Sequence, residues 1–412
     1  MKKMIFAGCL LLGLTTACSN EGGNNIDNPR RDIPLSRSEV EIKDAQMDFS
    51  FRLINTMGAK NETENWVISP FTSFVNLSIL ANGANDEIRD EFVSVLGFPK
   101  DATIEDVNNY NKKMLGELPA LDRKTSFSLA SSNWLSDQCK LVDGFAEVTN
   151  EYYGAPVTSV SFKDIRTNPS NPFNQWVSDR IGMPFILDEI LDDIYSITAS
   201  VLNFKSEWGV KFDKRDTDYR PFYNYSGRTV QVLTMKGTAG SHYYSDEADA
   251  LRLPFGNGSY SMYIFLPEND INEFVSGFTA EKFRNLTYDE MTRSVHLELP
   301  KFEIKYNANL TSNLEKMGLV KTISGEGNGK FSRFYEPVFS KYKDTILHSS
   351  LVSFGIDEDG GEVKVVVTTQ SGMQTSPGPV EHLDFIVDRP FFYMVIENST
   401  NSVIAAGTVY DF

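Results

Sequence analysis

The chain has 412 residues and a formal net charge of −17, from 39 Lys and Arg against 56 Asp and Glu. Nucleic-acid binding needs concentrated positive charge, so this balance excludes nucleic acid as the main partner. Two of the three cysteines lie within the first 18 residues, which leaves Cys139 alone and excludes an internal disulfide from the rest of the chain. The stability of the fold must therefore come from a packed core.

The N-terminal residues have the pattern of an export signal. Lys2 and Lys3 precede an apolar run over residues 4–14, and the small residues 15–17 lead directly into Cys18. A run of this length is too short for a stable transmembrane helix. A cysteine in this position resembles a lipobox, although the leucine lies one place early. We therefore expect lipidation of Cys18, with plain secretion as the alternative.

Three segments follow from this pattern: a signal peptide over residues 1–17, a tether over 18–38 and one domain over 39–412. The tether lacks an apolar period, which is typical of a flexible linker. No repeat or change of composition after residue 40 marks a further boundary. The protein is predicted to be exported. It is either a cell-envelope lipoprotein on the periplasmic or outer face, with membrane contact through its lipid alone, or an extracellular protein.

Helices are predicted mainly in the first half of the chain. Ser69 and Pro70 begin one helix and Asn82-Gly83 ends it. The apolar spacing predicts further helices over residues 46–57, 86–96 and 144–153.

Strands are predicted mainly in the second half. Residues alternate between apolar and polar over 230–234 and 261–267, and then over 295–299 and 302–306 with a change of parity at Pro300-Lys301. That change predicts a bulge or bend. Helices first and strands later favour an α+β fold around a large sheet.

No catalytic or metal-binding constellation is recognisable in the sequence. Its four histidines lack metal-ligand spacing, and neither a Gly-x-Ser-x-Gly elbow nor a glycine-rich phosphate loop is present. Ser340 and Lys343 match the Ser-x-x-Lys of penicillin-binding enzymes, but the two accompanying motifs are missing. Cys139 is interpreted as a buried small hydrophobe rather than a nucleophile. We therefore expect no enzyme activity, no cofactor and no metal.

Residues 358–379 combine a strand pattern with a loop composition. Val363, Val365, Val367 and Thr369 share one face of an extended strand, and the residues after 370 are rich in Ser, Gly and Pro. The simple interpretation is an ordinary strand followed by a loop. The alternative is a loop that can itself become a strand.

Six motifs in this sequence resemble the serpin family, in the family's order, along residues 39–412. The segment FIVDRPFFYMV at 385–395 is similar, position for position, to the C-terminal serpin signature. The other five are NWVISPF at 65–71, FKSEW at 204–208, LPKF at 299–302, IDEDG at 356–360 and AGTV at 406–409.

The resemblance implies three β-sheets, about eight or nine helices and an exposed reactive loop from about Gly360 to Pro379. In inhibitory serpins, a serine or cysteine protease attacks this loop and becomes acylated. The cleaved loop then inserts into the main sheet before the ester is hydrolysed. The chain is thus expected to be a suicide-substrate inhibitor, a monomer whose partner is an endopeptidase.

The resemblance also assigns site residues. The hinge comprises Glu358, Gly360, Gly361, Val363 and Val365; the breach comprises Trp208 and Lys301, which would pair with Glu358; and the shutter comprises Ser69, Thr72, Ser200 and Ser350. Three departures stand out. Gly361 replaces the usual Thr or Ser, valines replace the usual alanines, and Ser200 and Ser350 stand where an asparagine and a histidine are usual. The position of Ser350 assumes an ungapped alignment.

These departures leave a non-inhibitory carrier or scaffold as the alternative function. Insertion is favoured because the inward positions of the hinge are uncharged and valine is a strong strand former. Burying three valines would contribute about 5 kcal/mol. Counting from the hinge places the cleaved bond between Gln374 and Thr375, with Met373 as a neighbouring choice, whereas counting back from Pro390 moves it as far as Pro379. Because residues 365–379 contain no Arg or Lys, we expect elastase-, subtilisin- or cathepsin-like targets rather than trypsin-like ones.

Overall fold

The computed structural model describes residues 28–60, 63–187, 195–238, 241–288, 294–324, 329–337, 344–365 and 382–412. Ten α-helices occur in these residues: α1 (Arg37–Gly58), α2 (Pro70–Gly83), α3 (Asp86–Leu96), α4 (Ile104–Glu117), α5 (Phe145–Tyr153), α6 (Pro172–Ile181), α7 (Ile271–Gly277), α8 (Ala280–Tyr288), α9 (Thr311–Met317) and α10 (Val320–Ile323).

Eighteen strands accompany these helices. They are β1 (Trp66–Ile68), β2 (Thr125–Ser136), β3 (Cys139–Leu141), β4 (Val157–Val160), β5 (Ser196–Glu207), β6 (Asp218–Tyr223), β7 (Thr229–Thr238), β8 (Ser241–Tyr244), β9 (Ala248–Phe255), β10 (Tyr260–Pro267), β11 (Ser294–Pro300), β12 (Phe302–Asn309), β13 (Tyr335–Pro337), β14 (Ser349–Ile356), β15 (Gly360–Val365), β16 (His382–Ile386), β17 (Phe391–Glu397) and β18 (Ser402–Val409).

The strands form three large sheets and one small one. The main sheet has the order β12-β14-β15-β5-β2-β4, and a second six-stranded sheet has the order β1-β18-β17-β10-β9-β8. A four-stranded sheet has the order β16-β11-β7-β6, and β13 pairs with β3 alone. The predicted α+β fold with three main sheets is confirmed, with ten helices in the described residues instead of eight or nine.

Helix α2 lies in the centre of the molecule, in contact with β18 and β5. It is buried on nearly all sides, its polar residues Thr72, Ser73, Asn76 and Ser78 included. It begins after Ser69 and ends at Gly83 as predicted, but the Ser69 hydroxyl does not cap the helix. Instead Ser69 Oγ donates to the carbonyl of Ile404 at 2.6 Å, which joins the start of α2 to β18.

The two faces of the main sheet have different cores. Phe204, Val363 and Phe354 belong to the large central core. On the opposite face a separate cluster includes Phe173 and Val177 of α6 with Trp134 and Val201 of the sheet. Alternation along the strands therefore buries the inner face, and α6 covers part of the opposite face.

The parity change at Pro300-Lys301, predicted to be a bulge or bend, marks a crossing between two sheets. Strand β11 ends at Pro300 within the four-stranded sheet, whereas β12 begins at Phe302 within the main sheet. The chain crosses from one sheet to another at this point, so each strand has its own buried face.

Residues 28–33, which we call the N-terminal strap, contact the body of the protein. Asn28 Nδ2 donates to Asp122 Oδ1 at 2.7 Å, Arg31 pairs with Glu117 at 2.6 Å, and Ile33 is 5% exposed. Helix α1 then begins at Arg37, after a capping box of Ser36 and Glu39. This part of the predicted flexible tether is thus held by contacts that its composition does not indicate.

Residues 1–27, with the predicted signal peptide and Cys18, lie outside the described residues. Among the helices that the structure describes, none is long and apolar enough to cross a membrane.

Candidate functional site: the hinge within the main sheet

The first residues of the predicted reactive loop form a strand in the main sheet. Strand β15 runs antiparallel to β14 and β5, with Val363 between Phe354 and Phe204. Val363 is 0% exposed, whereas Glu362 and Lys364 point to the opposite face. The expectation of an exposed loop from Gly360 is therefore corrected for these residues, because their alternation matches the apolar inner face of the sheet.

Lys301 and Glu358 meet at the end of the main sheet, as the resemblance implied. Lys301 Nζ donates to Glu358 Oε2 at 2.8 Å, and the Glu358 side chain is 7% exposed. Burial opposes ionisation of this carboxyl, but the hydrogen bond and charge of Lys301, with a backbone hydrogen bond, lower the pKa of Glu358 below its ordinary value. Glu358 is thus held as a carboxylate.

Trp208 lies beside this ion pair and fixes the turn between β14 and β15. Its indole Nε1 donates to the carbonyl of Asp357 at 2.6 Å, and its backbone N–H donates to the carbonyl of Asp359 at 3.0 Å. The ring stacks on Phe255, with centroids 4.3 Å apart and planes 6° apart. These contacts hold the start of β15 in place.

Glycine is required at both of the first two positions of β15. A Cβ on Gly360 would lie 2.0 Å from the carbonyl oxygen of Ser206, and one on Gly361 would lie 2.9 Å from two carbons of the Phe255 ring. The Phe255 ring therefore leaves little room at position 361 for the Thr or Ser that is usual in the family. Sequence reasoning missed Phe255, which no local pattern marks as part of the site.

The outer face of β15 carries charged side chains. Glu362 forms ion pairs with Lys205 and with Lys364, and Asp359 pairs with Lys214 at 2.5 Å. All of them except Lys214 line an open cleft of about 800 Å³ over this end of the sheet. All of these side chains are at least 40% exposed, so solvent screens each pair and its contribution to stability is small.

Ser200, predicted for the shutter, is joined to helix α2 by Asn76. Ser200 Oγ lies 2.9 Å from Ser131 Oγ and accepts from Asn76 Nδ2 at 3.2 Å. The same Nδ2 donates to the carbonyl of Thr198 at 3.1 Å. An asparagine is thus present beside β5, but it comes from α2. No local pattern in the sequence marks Asn76.

A histidine also lies near the predicted shutter, two residues before Ser350. His348 Nε2 lies 3.1 Å from Ser73 Oγ of α2. Burial lowers the pKa of His348 to about 4, so the ring is neutral at pH 7. The buried hydroxyls of Ser350 and Thr72 have no hydrogen-bond partner among the described residues. The polar contact with α2 at this point is therefore made by His348, which lies just before β14, and not by Ser350.

Several predicted residues lie outside the described ranges, namely Met373, Gln374, Thr375, Ser340 and Lys343. Val365 ends β15, where it pairs with Val352 and Leu202. In the part of the chain that the structure describes, no group of three or more His, Cys, Asp or Glu is placed to hold a metal.

Cys139 is half-buried at the start of β3. Burial, with the charges of Asp344 and Asp137, raises the pKa of the thiol to about 11. The thiolate required of a nucleophile is therefore scarce at neutral pH.

Comparison with known proteins agrees with this geometry. The family profile described as Serpin (serine protease inhibitor) matches residues 44–412. An uncharacterized serpin-like protein of Methanosarcina acetivorans is 24% identical over 386 residues, which cover 91% of this chain and 88% of that protein. Serine protease inhibitor 42Dd of Drosophila melanogaster is 24% identical over 366 residues, covering 85% and 93%.

The fold agrees as well. The crystal structure of the native state of tengpin, a thermophilic serpin, has a TM-score of 0.78 and 23% identity, covering 95% of this chain and 99% of tengpin. The fold and the family profile, which spans the chain from residue 44 to its last residue, lead to one conclusion: the chain belongs to the serpin family.

Proposed function

We propose that this serpin is a suicide-substrate inhibitor of serine or cysteine endopeptidases. The observation that carries the proposal is the placement of Val363 at 0% exposure between Phe354 and Phe204. The main sheet accepts the valine-rich hinge as a strand. Burial of one valine side chain contributes about 2 kcal/mol, so the valines favour insertion.

The proposed reaction begins as ordinary proteolysis and stops halfway. The protease nucleophile attacks the carbonyl carbon of Gln374, the Gln374–Thr375 bond breaks, and the Thr375 amine leaves with a proton. Gln374 is then joined to the protease as an ester or thioester. Insertion of the residues after Val365, in line with β15, carries this bond away before water hydrolyses it. The serpin does not turn over.

The target is proposed to be an elastase-, subtilisin- or cathepsin-like protease acting on monomeric serpin. This rests on the absence of Arg and Lys from residues 365–379, which leaves a trypsin-like pocket with no partner for its carboxylate. Export with a lipid on Cys18 remains our proposal for location, supported by the signal-like run before it.

Incubation with a panel of such proteases tests the function directly. We expect a complex that survives SDS, and mass spectrometry of the released C-terminal fragment should begin at Thr375. Val363→Arg places a charge on the buried face and should convert the inhibitor to a cleaved substrate. Glu362→Arg, on the exposed face of the same strand, is the matched control and should still trap protease. Cleavage by every protease without a stable complex would favour the carrier or scaffold alternative.

A further inference from the structure

We propose that Asp122 is a positioning residue for loop insertion, fixing the edge of β5 that receives Gly360 and Gly361. This role rests on the proposed inhibitory function, because it concerns the step at which the loop enters the sheet. Neither Asp122 nor the residues around it belong to the hinge, breach or shutter positions predicted from the sequence.

Asp122 is a buried carboxylate that accepts hydrogen bonds from separate parts of the chain. Asp122 is 3% exposed. Its two oxygens accept from Asn28 Nδ2 at 2.7 Å, Thr125 Oγ1 at 2.6 Å and the backbone N–H groups of Lys124 at 3.0 Å and Asn257 at 3.3 Å. Removing a charged acceptor that has four hydrogen-bond donors should destabilise the fold around it strongly.

The turn between β9 and β10 is closed onto this carboxylate. A Cβ on Gly256 would lie 1.8 Å from Asp122 Oδ2, so only glycine allows the approach. The N–H of Gly256 donates to the carbonyl of Glu207 at 2.8 Å. The turn therefore contacts Asp122 on one side and the end of β5 on the other.

A second route reaches β5 through hydroxyl groups. Thr125 Oγ1, which donates to Asp122, lies 2.8 Å from Ser206 Oγ. In the register of the main sheet Ser206 lies opposite Gly361, and Glu207 lies opposite Gly360. Both routes from Asp122 thus end at the two residues of β5 that face the first two residues of β15.

The N-terminal strap completes the arrangement. Asn28 Oδ1 accepts from the N–H of Arg123 at 3.1 Å and from Asn257 Nδ2 at 3.4 Å, while its Nδ2 donates to Asp122. The strap thereby covers the carboxylate and joins the β9–β10 turn to the segment that leads into β2.

This arrangement has a kinetic consequence. Gly360 and Gly361 already lie in β15 and tolerate no added atom, so they need β5 and Phe255 in fixed positions to keep β15 in register. A displaced β5 would disturb the register from which the residues after Val365 continue into the sheet, so insertion slows while attack of the protease on the Gln374–Thr375 bond is unchanged. Acylated protease then has more time to hydrolyse its ester and escape. The stoichiometry of inhibition, which is the number of serpin molecules consumed for each protease inhibited, therefore rises.

The test compares Asp122→Ala with Asp344→Ala. Asp344 is also a buried carboxylate, 1% exposed, and it accepts from the N–H of Lys330 at 2.8 Å and from the Tyr335 hydroxyl at 2.9 Å. Both variants are expected to lower the thermal midpoint. Only Asp122→Ala should raise the stoichiometry of inhibition several-fold with the rate of protease association unchanged. Asn28→Ala should give a smaller rise.

A second measurement does not require inhibition. Hydrogen exchange of the uncleaved protein should increase at residues 204–207 and 360–364 in Asp122→Ala and stay at the wild-type level in Asp344→Ala. If Asp122→Ala does not fold, Thr125→Val removes the hydroxyl link with little change of shape and should show the same local increase. The role of Asp122 would be overturned if Asp122→Ala changed neither the hydrogen exchange of these residues nor the stoichiometry of inhibition. It would also be overturned if Asp122→Ala and Asp344→Ala had equal effects. A wild-type protein that traps no protease would overturn the proposed function, whereas the exchange comparison still decides the contact of Asp122 with β5.

Discussion

Gly361 lies directly against Phe255, so that a Cβ at position 361 would be 2.9 Å from two ring carbons. The ring cannot move away easily because it is stacked on Trp208, whose indole holds the turn before β15. Gly361 and Phe255 therefore form a matched pair of small and large residues at the start of the inserted strand.

This pairing predicts the effect of restoring the residue that is usual in the family. Gly361→Thr should slow insertion and raise the stoichiometry of inhibition, because the added atoms collide with the Phe255 ring. Phe255→Leu in the same protein should reverse part of the defect. Titration of a target protease with the single and double variants measures this. If Gly361→Thr inhibits as well as the wild type, the collision is not important for the hinge.

Cleavage in the loop should stabilise the protein strongly. Insertion of the residues after Val365 extends β15 between β14 and β5 and pairs its backbone on both sides. The thermal midpoint should rise by tens of degrees, against the few degrees that ~1 kcal/mol gives in a chain of this size. Calorimetry before and after limited proteolysis measures the shift. A cleaved protein with an unchanged midpoint would show that the loop stays outside the sheet.

The buried His348 should make stability depend on pH. Its pKa is lowered to about 4 in the folded chain, whereas the unfolded chain takes up the proton at an ordinary value of about 6.5. Stability is therefore complete above the unfolded pKa and is lost as pH falls from about 7 towards 4, by about 3 kcal/mol. Urea unfolding across this range, compared with His348→Gln, measures the difference. Parallel curves for the two proteins would exclude His348 as the cause.

The ion pair of Lys301 with Glu358 should contribute more to stability than the ion pair of Lys305 with Glu303. Lys301→Met leaves Glu358 buried without its charged donor and should cost about 2 kcal/mol in the free energy of unfolding. Lys305 pairs with Glu303 at 3.1 Å, but both side chains are more than 60% exposed. Lys305→Met should thus cost less than about 1 kcal/mol. Equal losses in chemical denaturation would contradict the assignment of the buried pair.

Lipidation of Cys18 predicts a change of compartment. The wild-type protein should fractionate with membranes, and Cys18→Ala should appear in the soluble fraction, because the lipid is the proposed attachment. Immunoblotting of fractions from the expressing cells measures both. Soluble behaviour of both proteins would instead favour plain secretion.

Local signals in the sequence predicted the elements that depend on neighbours along the chain. The limits of α2 follow from Ser69-Pro70 and Gly83, and the inward face of β15 follows from simple alternation. The pairing of Lys301 with Glu358 was implied only by the family resemblance, since the two residues are far apart in sequence.

The remaining features depend on tertiary contacts, which produce no periodic pattern in the amino-acid sequence. Phe255 meets Gly361 only because the β9–β10 turn closes against the end of β5. His348 reaches Ser73 although an ungapped alignment points to Ser350, since the ring lies just before β14 begins. No pattern in the sequence marks Asp122, and it is the strap and the β9–β10 turn that cover it.

If Cys18 carries the proposed lipid, the N-terminal strap would also set the direction, relative to the membrane, in which a captured protease travels. Asn28 is fixed at the end of the main sheet where β15 begins, and it follows Cys18 by only ten residues. A chain of that length spans at most about 35 Å, so a lipid on Cys18 would keep this end of the molecule close to the bilayer. Insertion in line with β15 would move the bond at Gln374 about 45 Å along the sheet from Gly360. A protease seized next to the membrane would thus be carried outward, away from the surface on which its own substrates lie.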